Sequence, residues 1–64
     1  MKNEKFSSLE EAQSFMEERG KLKYWGREGT DCSDYVYTLT IGIVVYHILL
    51  HKNGTLRVMD KTYL

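Results

Sequence analysis

Two histidines, His47 and His51, stand four residues apart, and a single thiol, Cys32, lies in the polar cluster Asp31-Cys32-Ser33-Asp34. On a helix, that histidine spacing would put both imidazoles on one face, as a zinc site requires. On a strand the two share a face but lie about 13 Å apart, at a rise near 3.3 Å per residue, too far for one ion. The β-branched neighbours favour strand, so no metal site is expected. A nucleophilic cysteine needs a base or a cation beside it. Asp31 and Asp34 act in the opposite sense, and a Cys32–His47–Asp60 site would need those side chains within hydrogen-bonding reach. The cluster also lacks the spaced carboxylates of a calcium loop. The expectation is a chain with no catalytic residue and no cofactor, in which Cys32 is a small, part-buried turn residue.

Binding chemistry has better material. Tyr24-Trp25-Gly26-Arg27 sets a large aromatic pair beside a basic residue, and Trp, Tyr and Arg are the usual hot-spot types at interfaces. They also stack on single-stranded nucleic acid. The plainer reading of Trp25, as a lid on one end of the core, is preferred, with Arg27 solvated in a loop. A nucleic-acid module would use Trp25, Arg27, Arg57 and Lys61. Such modules concentrate basic charge, because phosphate neutralisation supplies their affinity. Here nine basic and nine acidic side chains cancel. Residues 1–20 have a balance of −2 and residues 35–64 a balance of +2. Nucleic-acid binding is therefore the alternative, not the first choice.

These residues need elements to hold them. Residues 8–19 have the pattern of one amphipathic helix. Ser7 with Glu10, or Ser8 with Glu11, makes a capping box. Leu9, Ala12, Phe15 and Met16 form the apolar stripe. Gly20 follows at the position of a left-handed C-cap, and Glu10, Glu11, Glu17 and Glu18 make a solvated face. Residues 1–6 are expected to be a flexible lead-in. Lys21–Trp25 begins as a strand, residues 26–31 as a loop, and Asp34–Ile41 as a second strand. Residues 43–52 continue it, with Gly42 a bulge, a bend or a true turn. Asn53-Gly54 predicts a two-residue type I′ hairpin turn, and the last strand runs from Thr55 to about Thr62. The fold class is α+β, one helix packed on a three- to four-stranded antiparallel meander, in a single small domain of 64 residues.

The two-residue turn sets His51 opposite Leu56, Leu49 opposite Val58 and His47 opposite Asp60. Read without a bulge at Gly42, which would reshuffle the faces, alternation gathers Tyr35, Tyr37, Leu39, Ile41, Ile43, Val45 and Leu49 on one face with His47 and His51, the expected seat of the helix. Val44, Tyr46, Ile48, Leu50 and Met59 fall on the other, rimmed by Arg57 and Lys61. Leaving those side chains wet would forgo roughly 1.5–3 kcal/mol each. Monomeric proteins seldom expose a large contiguous apolar patch. The expected function is a non-enzymatic protein–protein interaction module, using Val44, Tyr46, Ile48, Leu50, Met59 and Arg57 as its interface. Its partner is a second copy of the chain or one protein target. Small accessory and inhibitor proteins of bacteria and phages have comparable size, an association of composition only.

The compartment expected is the cytoplasm. Cys32 is a lone cysteine, and the charged start MKNEKF leads into no apolar segment of a secretory signal. Residues 35–50 are uncharged, but a membrane span needs about 20 apolar residues. This run contains two threonines, a histidine and a glycine, so no membrane role is expected.

Overall fold

The uncharged run 35–50 folds back on itself at Gly42-Ile43. In the computed structural model, which describes residues 1–64, it forms two strands, β3 (Asp34–Ile41) and β4 (Val44–His51). Gly42 has φ +63 while Ile43 stays out of the positive region. Those signs suit a type II′ turn, which takes glycine at its first central position. Before them come β1 (Glu4–Lys5), α1 (Leu9–Arg19) and β2 (Lys21–Glu28), and after them β5 (Thr55–Tyr63). The five strands form one antiparallel sheet in the order β1-β5-β4-β3-β2. The α+β class holds. The sheet has five strands instead of three or four, and no helix is long and apolar enough to cross a membrane.

The helix forms where the caps direct. The Ser8 hydroxyl accepts from the Glu11 N–H at 3.1 Å, and the Glu11 carboxylate reaches back to the Ser7 hydroxyl at 2.9 Å. Gly20 is not a left-handed cap: its φ is −179, extended backbone. Its role is close approach, because a Cβ there would collide with the Thr40 carbonyl where the chain enters β2. Residues 1–6 are also held, contrary to the flexible lead-in expected. Glu4 and Lys5 pair with Leu56 and Thr55, Phe6 N–H donates to the Gly54 carbonyl at 2.8 Å, and the Asn3 side chain accepts from Val58 N–H at 2.7 Å.

The β4–β5 connection has three residues, Lys52-Asn53-Gly54, not two. Gly54 N–H donates to the His51 carbonyl at 2.8 Å, and Gly54, at φ +96, takes the positive position that closes such a loop. Asn53 Oδ1 accepts from Thr55 N–H at 3.0 Å, fixing the wider loop. The register therefore slips by one from that expected: Leu50 faces Leu56, Leu49 faces Arg57 and Ile48 faces Val58. A bulge at Met59 then restores the expected pairing of His47 with Asp60.

The turn at Gly42-Ile43 also decides the faces. Odd residues of β3 now share a face with even residues of β4. The helix covers that face. Ala12 and Met16 bury against Tyr37, Leu39, Ile48, Leu50 and Leu56, with Phe6, Leu9, Phe15, Leu22, Tyr35, Ile41, Tyr46 and Val58 around them. Gln13 Nε2 donates to the Tyr37 hydroxyl at 2.7 Å, and no buried side-chain polar atom lacks a partner.

Candidate functional site

With one helix on one side, the other side of the sheet carries no element of the chain. Alternation along the register places four rows of side chains on it, the first three crossing from β2 to β5 and the last from β2 to β4. The first row is Lys21, Thr40, Val45 and Thr62, and the second is Lys23, Thr38, His47 and Asp60. The third is Trp25, Val36, Leu49 and Arg57, and the last is Glu28, Asp34 and His51. A shallow groove of about 380 Å³ runs along the centre between Trp25, Val36, Thr38, His47 and Leu49.

Trp25 reaches this face through an irregularity. The β2–β3 register skips it between Tyr24, opposite Tyr37, and Gly26, opposite Val36. Gly26 takes φ +134, a conformation costly for any other residue, and the strand then continues through Arg27 and Glu28, which were expected in a loop. The bulge turns the indole onto the open face, where Nε1 donates to the Thr38 hydroxyl at 2.9 Å and the Lys23 ammonium lies 4.2 Å from the ring centre. Trp25 is 59 % exposed. It is a surface aromatic held in one orientation, not the core lid expected.

The interface residues expected from sequence are redistributed. Ile48 and Leu50 are 1 % and 0 % exposed beneath the helix. Val44 and Tyr46 lie half-buried on the same helix-covered face. The turn at Gly42 puts all four on the face of Tyr37 and Leu39, and Ile48 and Leu50, in the core, cannot belong to a free docking patch. Met59 is exposed at the β5 bulge, and Arg57 is exposed on the open face opposite Leu49. Of the four residues of the nucleic-acid alternative, Trp25 and Arg57 share the open face. Arg27 and Lys61 lie on the helix side: the Arg27 guanidinium stacks on Tyr35 at 4.3 Å, and Lys61 pairs with Tyr46. The residues that sequence reasoning missed are Val36, Thr38, Val45 and Leu49. Their signal was the alternation of β3 and β4 read across a turn at Gly42.

The candidates for chemistry stay apart. Cys32 is exposed, at φ +56, in the loop before β3, and its carbonyl accepts from the Arg27 guanidinium. It precedes Asp34, which pairs with His51, about 13 Å along the strand from His47. His47 Nε2 lies 3.3 Å from the Thr62 hydroxyl, while Asp60 Oδ1 accepts from Lys61 N–H. Asp60 is thus a cross-strand neighbour of His47 without a hydrogen bond to it. The Ser33 hydrogen bond to the Asp31 side chain, helped by the Asp31 N–H and the charge of Lys52, holds that exposed carboxyl below its ordinary range. No three His, Cys, Asp or Glu side chains group as a metal site would need. The largest cavity, about 590 Å³, lies between the first residues and the end of the helix, lined by Met1, Lys2, Glu4, Phe15, Arg19 and Ile41. Arg19 there stacks on Phe15 at 3.6 Å.

The edges of the sheet are protected against strand addition. β2 presents lysines and the Trp25 bulge, and β5 is capped at one end by β1 and kinked at Met59. The open face is left as a surface that no element of the chain covers. In comparisons with protein-family models, curated proteins and solved structures, the chain matches none of them.

Proposed function

We propose that the chain is a non-enzymatic interaction module that docks a protein on the sheet face opposite its helix. The observation that carries this reading is the uncovered apolar cluster of Trp25, Val36 and Leu49, with Val45 two rows away on the same face. A sheet normally buries both apolar faces in a layered structure, and a lone 11-residue helix supplies one layer only. The bulge favours a binding role for Trp25, because an indole at a protein surface with its N–H already bonded offers a rigid apolar plate. The charges on the face are mixed: Lys21, Lys23 and Arg57 alternate with Glu28, Asp34 and Asp60. That mixture suits a protein surface better than a phosphate backbone, and a cytoplasmic location belongs to the same reading.

The test is capture by immobilised chain. Wild type is expected to retain protein, its own free chain included, whereas Leu49→Asp retains less than a tenth as much with unchanged circular dichroism. Equal capture by both, or none by either, contradicts the reading.

A further inference from the structure

We infer that the occupant of the open face is a second copy of the chain, packed sheet to sheet about a two-fold axis parallel to β3 and β4. This rests on the docking reading above and adds the partner and its geometry. The four rows are self-complementary. A two-fold axis lying between the sheets, midway between β3 and β4, keeps each row at its own height and exchanges β2 with β5 and β3 with β4. Each residue then meets the mirror position of its own row in the other copy.

In the second row Lys23 meets Asp60 of the other copy, and Thr38 meets His47. In the third, Trp25 meets Arg57, and Val36 meets Leu49. In the first, Val45 meets Thr40, and in the last, Asp34 meets His51. Opposite charges, a cation and an aromatic, and two aliphatic side chains therefore coincide at once, and the two-fold makes every contact twice. No like charges oppose each other. Aligned sheets pack about 10 Å apart with strands rotated by roughly 30°, which suits contacts between opposed rows.

The area is adequate. Four strands spaced about 4.8 Å apart, eight residues long or nearly so, give a flat footprint of roughly 500 Å² per copy. Side-chain relief raises the total buried to about 1,200 Å², the lower end for a specific interface. The dimer is expected to dissociate in the micromolar range.

The experiment is reciprocal charge reversal, read as molar mass by sedimentation over a concentration series. Wild type is expected at twice the chain mass at high concentration. Lys23→Asp alone, and Asp60→Lys alone, each set like charges together twice and weaken association by roughly 10- to 100-fold. In the mixture of the two variants, the introduced aspartate of one copy faces the introduced lysine of the other. The second of the two symmetry-related contacts is then the native one, Asp60 of the first copy against Lys23 of the second, and the dimer is restored. Both substitutions are at exposed positions, and circular dichroism verifies folding.

A wild-type chain that stays monomeric overturns the inference. It leaves the docking face standing if Leu49→Asp still abolishes capture of a different protein. A dimer whose mixture shows no rescue overturns the proposed axis; the perpendicular two-fold would set Lys23 against Trp25 and Asp60 against Arg57. A dimer indifferent to Leu49→Asp and to both reversals removes this inference and the docking reading together.

Discussion

Leu50→Ala is expected to remove most of the chain's stability at 25 °C, while Leu49→Ala, one residue away, leaves it well folded. Leu50 is fully buried between the helix and the sheet, beside Ala12, Met16 and Leu56. Truncating a buried leucine costs about 2–5 kcal/mol, partly in lost transfer energy and partly in the cavity left behind. A domain this small has a net stability of only about 3–5 kcal/mol. Seven residues make up the whole buried hydrophobic core, so few neighbours can collapse into the space. Leu49 points to the open face and is only part-buried, with no helix over it, so its loss costs less, roughly 1–2 kcal/mol in the monomer. Urea unfolding followed by circular dichroism measures both. Equal costs at the two positions would mean that the face assignment is wrong.

The second large effect is at Gly54. Gly54→Ala is expected to lower stability by about 2–4 kcal/mol, against about 1 kcal/mol for Gly42→Ala. Both glycines have positive φ, +96 and +63, so both variants bear the left-handed penalty. They differ in surroundings. An added Cβ at Gly42 meets nothing within 4 Å, whereas at Gly54 it collides with the Phe6 carbonyl oxygen and comes to 3.2 Å from that of Ser8. The alanine would push β1 and the helix start off the end of β5 and strain the 2.8 Å bond from Phe6 N–H to the Gly54 carbonyl. Denaturant midpoints of the two variants give the comparison. A cost at Gly54 no greater than at Gly42 would show that the lead-in is not anchored there.

The helix was legible from sequence because its determinants are local: the Ser8 cap, Glu11, and the spacing of Leu9, Ala12, Phe15 and Met16. The faces of the sheet were not, because one choice of parity at Gly42 governs every side chain after it. Read as unbulged strand, Gly42 groups Tyr35, Tyr37, Leu39 and Ile41 with Val45 and Leu49. As a two-residue turn it groups them with Val44, Tyr46, Ile48 and Leu50, and leaves Thr38, Thr40, His47 and His51 together on the opposite side. The second grouping is the cleaner binary pattern, with threonines and histidines all on the uncovered face. That pattern was available in the residues themselves.

Other features had no local signature. Gly20 and Gly54 are glycines because distant backbone passes close to them, at Thr40 and at Phe6. The pairing of His47 with Asp60 was anticipated through two errors that cancel: a loop one residue longer than expected and an extra residue at Met59. Trp25 reaches the open face through a bulge whose only sign in sequence is the glycine that follows it.

The face carrying Val36, Val45 and Leu49 should be free in the monomer and covered on association. Methyl NMR with an inert paramagnetic cosolute tests it directly. In dilute solution the methyls of Val36, Val45 and Leu49 are expected to broaden as surface groups, while Leu39, Ile48, Leu50 and Leu56 stay protected. Raising the concentration should protect the first set and leave the second unchanged. Val36 and Leu49 already shielded at high dilution, or still broadened once the protein has associated, would contradict the account.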